Sequence, residues 1–269
     1  MPQVLHCWCS GAMTDMEALR ADYTRSLWEG KNVGVCANLT NDEMMGILRA
    51  GYEMARADMG AVDVAQLQVG ADKAAELEKS PPAQGGVAFI GSSTFTYWRL
   101  LAQDFEEYQV YNGAFGGSQA NHQLDDQLFK RLVLQHRPAT VVYFCGTNDI
   151  ARGRGAGAAA ADFRSFYLRV RKELGPSVRV VYVAPTKTPF YRQWPEILPP
   201  LDELAASMQE YCAAAQDPEL RFVDTNASAW AADPAYYVGD NQHMNDEGHR
   251  LLGNLIRPAL GAGGRRSKL

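Results

Sequence analysis

The chain has 269 residues, 46% of them apolar, and a formal net charge of -5. That length and apolar fraction supply a large packed core and exclude a disordered chain. The acidic balance runs opposite to the basic footprint of a nucleic-acid binder, and no apolar run reaches the ~18 residues that cross a bilayer. Residues 1–14 lack both the basic start and the long apolar stretch of a secretory leader. The five cysteines are odd in number, and Cys145 falls in an expected buried strand. A reducing compartment fits that usage better than a disulfide framework. Cys7 and Cys9 have no second ligand pair nearby and read as ordinary thiols.

Residues 1–80 read as a helical extension. Helical spacing runs over 15–28 and 41–59, with Thr40 and Glu43 forming a capping box at the second start. An alanine-rich helix follows over 62–77, stopped by Pro81-Pro82, and Gly85-Gly86 forms a hinge. No chemistry is recognisable in this region. A cap on the main domain is its plainest role, with a lid or a partner surface as the other readings.

From Val87 the pattern changes to alternating strands and helices over residues 81–260. The strands are expected at 87–90, 109–111, 140–144, 178–183 and 221–223. The helices between and after them are expected at 98–105, 121–135, 156–174, 199–216 and 245–256. Such alternation implies a three-layer α/β/α fold on a mostly parallel five-stranded sheet. Ligands bind beyond the carboxyl ends of the strands in folds of this kind. Residues 261–269 read as a flexible basic tail. Its last residues, Ser267-Lys268-Leu269, match the peroxisomal import address, which makes an import receptor an expected partner. An unused address would leave the protein in the cytoplasm.

Four short segments carry the chemistry. Gly91-Ser92-Ser93 follows the first apolar run, and Asn112 to Gly117 form a glycine-rich turn. Gly146-Thr147-Asn148-Asp149 follows a later strand, and Asp240-Asn241-Gln242-His243 precedes the last helix. Ser93 supplies a hydroxyl at a strand end and a helix start, though Ser92, Ser93 and Thr94 would also serve as simple caps. Asp240 and His243, three apart, can meet across one turn, with Asp240 holding the tautomer while the other ring nitrogen takes a serine proton. Gly117 lets a backbone N–H approach a substrate oxygen, and Asn148 offers an amide. With the Ser93 N–H these make three donors for an oxyanion. Each segment alone has a bland reading as a cap, a turn or a solvated loop.

The four together resemble the SGNH hydrolases, the GDSL-like lipase/acylhydrolase family, over roughly residues 87–260. Ser93 takes the nucleophile position, with Ser92 where the family usually has an acidic residue. Gly117 and Asn148 take the oxyanion positions, and Asp240 and His243 the acid and the base. The resemblance implies a flavodoxin-like SGNH fold and a cofactor-free serine esterase acting through an acyl-enzyme. The Gly-x-Ser-x-Gly elbow of the α/β-hydrolases is absent. Small acetyl esters, acetylated sugars and lipid esters are all open as substrates. The tail hints at an acyl-CoA thioesterase or a lysophospholipase of the peroxisome. An interaction protein that keeps a hydrolase fold is the reading of another class. The histidines have no ligand spacing, so no metal is implied. Of the smaller candidates, His249 reads as a surface or packing residue and His122 as a solvated helix start, with a place facing the cleft as its other reading. Tyr97 and Trp98 read as packing of the first helix, with lining of the pocket as their other reading, and the aromatic loop 186–194 as a substrate wall.

Overall fold

Strand β1, Val87–Gly91, is buried along its whole length because it has neighbours on both edges and layers on both faces. The computed structural model describes residues 40–261 and 264–266. The expectations for 15–28, for Cys7 and Cys9, and for Ser267-Lys268-Leu269 lie outside those residues. Beside β1 run β2 (Val110–Asn112) and β3 (Thr140–Phe144), followed outward by β4 (Arg179–Val183) and β5 (Leu220–Val223). The strand order is β2-β1-β3-β4-β5, and every pairing is parallel. Side chains alternate between the two faces, as the pleat requires. Val87, Phe89, Val142 and Phe144 enter one core, and Ala88, Ile90, Val141 and Tyr143 the other.

The extension contributes α1 (Asn41–Ala57) and α2 (Met59–Lys79). The main body adds α3 (Ser93–Thr96), α4 (Leu101–Asp104), α5 (Asp126–Leu132), α6 (Thr147–Ala151) and α7 (Ala156–Leu174). It ends with α8 (Pro189–Arg192), α9 (Leu198–Ala214) and α10 (Asp246–Leu260). Helices α4 and α10 cover the first face through Leu101, Leu252, Ile256 and Leu260. Helices α5, α7 and α9 cover the second. This is the α/β/α arrangement expected, with a fully parallel sheet. Among the described residues no helix is long and apolar enough to cross a membrane.

Three elements depart from the sequence reading. The helix expected over 121–135 breaks into a 3-10 turn, α5 and a second 3-10 turn. Asp125 causes the first break: its side chain accepts the Gln127 and Leu128 N–H groups, both at 3.0 Å, and restarts the helix. The helix expected over 98–105 shrinks to α4, and α3 forms ahead of it as a separate turn. Helix α10 continues through Pro258 to Leu260, four residues past its expected end at 256, because fully buried Leu260 rewards the extra turn.

Helix α2 docks on α5. Ala74 and Leu77 enter the second-face core, and Gly70 lies so close that a Cβ would stand 2.6 Å from Leu128 Cδ1. Arg131 makes a two-pronged ion pair with Glu78, at 2.7 and 2.9 Å. Part of the expected tail is also held. Gln109 N–H donates to Gly264 O at 2.8 Å and Arg266 N–H to Glu107 O at 2.9 Å, so residues 264–266 run along the segment leading into β2.

Candidate active site

The sheet reverses its order between β1 and β3, and ligands of such sheets bind at the strand ends flanking that reversal. Gly91 closes β1 with φ +148°, and a Cβ there would stand 2.0 Å from Phe144 O at the end of β3. Only glycine permits this approach. The Ser92 N–H donates to that same carbonyl at 3.1 Å, and Ser93 follows as the first residue of α3. A first helical residue has no intrahelical acceptor for its N–H, so Ser93 presents both a hydroxyl and a free-facing backbone donor.

His243 comes to Ser93 from the loop before α10. Asp240 is fully buried, and its Oδ1 accepts the backbone N–H groups of Gln242 and His243, each at 2.8 Å. Its Oδ2 lies 2.6 Å from His243 Nδ1. A carboxylate accepts, so Nδ1 carries the ring proton and Nε2 keeps its lone pair. That lone pair faces Ser93 Oγ at 3.0 Å. The loop is fixed around this chain of bonds. Asn241 takes a left-handed conformation, φ +57°, and its carbonyl accepts the Phe190 N–H at 2.9 Å. The ring of Tyr97 meets the imidazole edge-on, with centroids 5.1 Å apart. Tyr97 therefore does more than pack its own helix.

The glycine-rich turn is tied to the same strand end. Gly113 N–H donates to Phe89 O at 2.9 Å, Phe115 N–H to Gly91 O at 3.1 Å, and Ser118 Oγ to Gly91 O at 2.9 Å. Gly117 sits at φ +76°, and a Cβ there would stand 2.9 Å from the amide of Gln66 on α2. Its carbonyl accepts from Arg152 Nη1 at 2.6 Å. Asn148, the second residue of α6, donates from Nδ2 to Ser118 O at 2.9 Å, which joins the third segment to the second. Asp149 strengthens that joint: both of its oxygens lie within 3.1 Å of the Ala120 N–H, and Arg154 pairs with one at 2.5 Å. Burial pushes the Asp149 carboxyl up to about 6, against the pull of Arg154 and of the Ala120 N–H.

A pocket opens beside Ser93 and His243. Its other walls include Thr147, Thr186, Thr188, Tyr191 and Gln242. The loop after β4 thus does line the site, but through threonines and one tyrosine. Phe190 and Trp194 instead pack around Tyr52 of α1, with ring centroids 6.3 and 6.0 Å away.

Of two further histidines, one departs from its sequence reading and the other keeps it. His122 is buried, not a solvated helix start. Its Nδ1 accepts the Gln119 N–H at 3.0 Å, so Nε2–H donates to Asp63 of α2 at 2.8 Å. Burial lowers its pKa although Asp63 favours the charged form. His249 is a packing residue: it stacks on Trp98 and donates from Nε2 to Thr94 O at 2.9 Å. Burial holds its pKa down at about 4. Sequence reasoning missed Tyr52 and Gln66, which reach the site from distant positions with no motif around them, and Arg152, which follows the third segment but bonds to the second. No group of three or more His, Cys, Asp or Glu among the described residues could hold a metal.

Fold and site together define an ester hydrolase. Residues 83–251 match the model of the GDSL-like lipase/acylhydrolase family. The chain belongs to that family. Solved structures share its fold. A GDSL-like lipase from Bacteroides thetaiotaomicron is 20% identical, with 73% of this chain and 97% of that one covered and a TM-score of 0.59. A lipase/acylhydrolase from Enterococcus faecalis is 22% identical, with 67% and 98% covered and a TM-score of 0.51. A catalytic variant of an acetylxylan esterase from Geobacillus stearothermophilus is 15% identical, with 69% and 99% covered and a TM-score of 0.51. No curated protein sequence matches the chain.

Proposed function

We propose that the protein is a serine esterase for small polar esters with short acyl groups, working through an acyl-enzyme. The observation that carries the reading is the unbroken chain from Ser93 Oγ to His243 Nε2 at 3.0 Å and from His243 Nδ1 to Asp240 Oδ2 at 2.6 Å. In this reading Ser93 Oγ attacks the ester carbonyl while its proton passes to His243 Nε2. Asp240 stabilises the imidazolium and stays ionised. The carbonyl oxygen gains the negative charge and meets the N–H groups of Ser93 and Gly117 and the amide of Asn148. Collapse of the adduct breaks the bond to the alcohol, which leaves with the proton from His243. Water then attacks the acyl-Ser93 ester, giving its proton to His243, and the acid departs as Ser93 recovers that proton.

The lining of the pocket supports a short acyl group. It is rich in threonine hydroxyls. A long alkyl chain would find little apolar wall there, while a hydroxylated alcohol such as a sugar finds hydrogen-bond partners. The acetylxylan esterase named above shares the fold, which is compatible with this choice.

The test is hydrolysis of p-nitrophenyl acetate by the purified protein and its Ser93→Ala variant. The expected result is a loss of kcat of at least ~10³-fold. Equal rates would remove Ser93 from the chemistry. Octanoyl-CoA in the same assay covers the thioesterase reading, and preference for it would displace the short-chain one. The import address read in Ser267-Lys268-Leu269 is a separate proposal. A fluorescent fusion that loses its peroxisomal pattern when Leu269 is removed would support it, and an unchanged pattern would end it.

A further inference from the structure

The oxyanion role proposed for Asn148 depends on which end of its amide faces the substrate. An amide is nearly symmetric in shape, so its neighbours decide. Two groups act on it here. Ser118 O accepts from Nδ2 at 2.9 Å, and the Tyr52 hydroxyl donates to Oδ1 at 3.1 Å. Rotating the amide by half a turn would set Oδ1 against a carbonyl oxygen, which repels it. Tyr52 is itself constrained. Its oxygen accepts from Gln242 Nε2 at 2.8 Å and lies 3.3 Å from the Tyr191 hydroxyl, so its own hydrogen is directed to Asn148. The whole cluster is buried, and Tyr52 keeps its proton because burial raises its pKa above the usual tyrosine value.

We infer that Tyr52 is a positioning residue for the reaction, acting through Asn148. Its hydroxyl fixes the amide so that one N–H is held by Ser118 and the other is left for the oxyanion. Tyr52 lies on α1, outside the residues 83–251 that match the family. The extension therefore contributes to the chemistry of the site, not only to its cover. This inference rests on the oxyanion role of Asn148 given above.

The experiment is a double-mutant cycle on the full chain: wild type, Tyr52→Phe, Asn148→Ala and the double variant, assayed with p-nitrophenyl acetate. Phenylalanine keeps the ring against Phe190 and Trp194 and removes only the hydroxyl. Tyr52→Phe is expected to lower kcat by about 10- to 100-fold with KM within about twofold, since an oxyanion donor acts in the transition state. In the Asn148→Ala background the same change is expected to alter kcat by less than about twofold, because its target is gone. Wild-type kcat in Tyr52→Phe would overturn the inference. So would a full loss that persists without Asn148, or a Tyr52→Phe protein that does not fold, since the hydroxyl would then hold something else. If Asn148→Ala alone has no effect, the oxyanion reading of Asn148 fails, and the inference with it. If Asn148→Ala is impaired and Tyr52→Phe is not, only the inference fails.

Discussion

Two residues show how narrowly the site is set. Gly91 is required twice over: its φ of +148° is open to glycine, and any Cβ would strike Phe144 O at 2.0 Å. Gly91→Ala would pry the ends of β1 and β3 apart, the ends that carry Ser93 and Asn148. We expect it to cost roughly 2–4 kcal/mol of stability and most of the activity, measured by thermal unfolding and by kcat on the acetyl ester. Asp240 acts differently. It already accepts two backbone N–H groups, so Asp240→Asn can keep the shape of the loop. An amide at Oδ2, however, would donate toward Nδ1 and drive the ring proton to Nε2, where it blocks the serine. A fall in kcat of roughly 10³- to 10⁴-fold with an almost unchanged melting temperature is expected. A fall no larger than tenfold would mean that His243 keeps its tautomer by other means.

Helix α10 carries a pH-sensitive contact at His249, which lies between Trp98 and the carbonyl of Thr94 just after Ser93. Its folded pKa is held at about 4 by burial, against an ordinary value of 6.5. The unfolded chain therefore binds more protons between those values, and stability rises with pH across that window. The contribution is complete above pH 6.5 and is lost as pH falls through about 4. His249→Phe removes this term but leaves Thr94 O without its donor, so the variant is expected to be the less stable at pH 7.5. The gap should shrink by about 2 kcal/mol by pH 5, read from urea unfolding at both values; a constant gap would mean that His249 takes up its proton as readily in the folded chain as in the unfolded one. The sequence could not reveal this contact, because its partners lie 151 and 155 positions away. Patterns of local spacing were legible: the fully buried strand Thr140–Phe144 and the long helix Ala156–Leu174 stand where periodicity and the Gly175-Pro176 stop put them. Helix α6 was not, since Gly146 reads as a turn and five residues show no period. Ser93, Asp240 and His243 were legible as candidates because each sits at a strand end or before a helix, and the structure brings the three side chains together. Tyr52 was not, because its role comes from a bond to Asn148 across 96 positions.

At the scale of the molecule, the family region and the helices before it form one hydrogen-bonded body at the site. Helix α2 brings Asp63 to His122 and Gln66 over Gly117, and α1 brings Tyr52 to Asn148. Two guanidiniums of α1, from Arg49 and Arg56, stand 5.2 and 5.1 Å from the ring of Trp194, and Arg56 Nε donates to Ala151 O at 2.8 Å at the end of α6. The contacts of Gln66, Tyr52 and Arg56 Nε fall on the two segments that carry Gly117 and Asn148, so the extension braces the half of the site proposed to hold the oxyanion. Deleting residues 1–80 would bare the apolar surfaces of Phe115, Leu128, Phe190 and Trp194 and leave Asn148 Oδ1 without its donor. The shortened protein is expected to melt lower, by more than about 5 °C, given the several kcal/mol of apolar burial removed. Its kcat is expected to fall further than in Tyr52→Phe, because Gly117 loses its neighbour as well. Transfer of the acyl group to Ser93 and its hydrolysis should slow together, since both steps pass through an oxyanion at the same place. Pre-steady-state bursts with p-nitrophenyl acetate separate the two. Loss in the burst rate and in the steady rate alike would place the extension at the oxyanion, whereas unchanged turnover in a stable truncated protein would leave α1 and α2 as a cover that chemistry does not need.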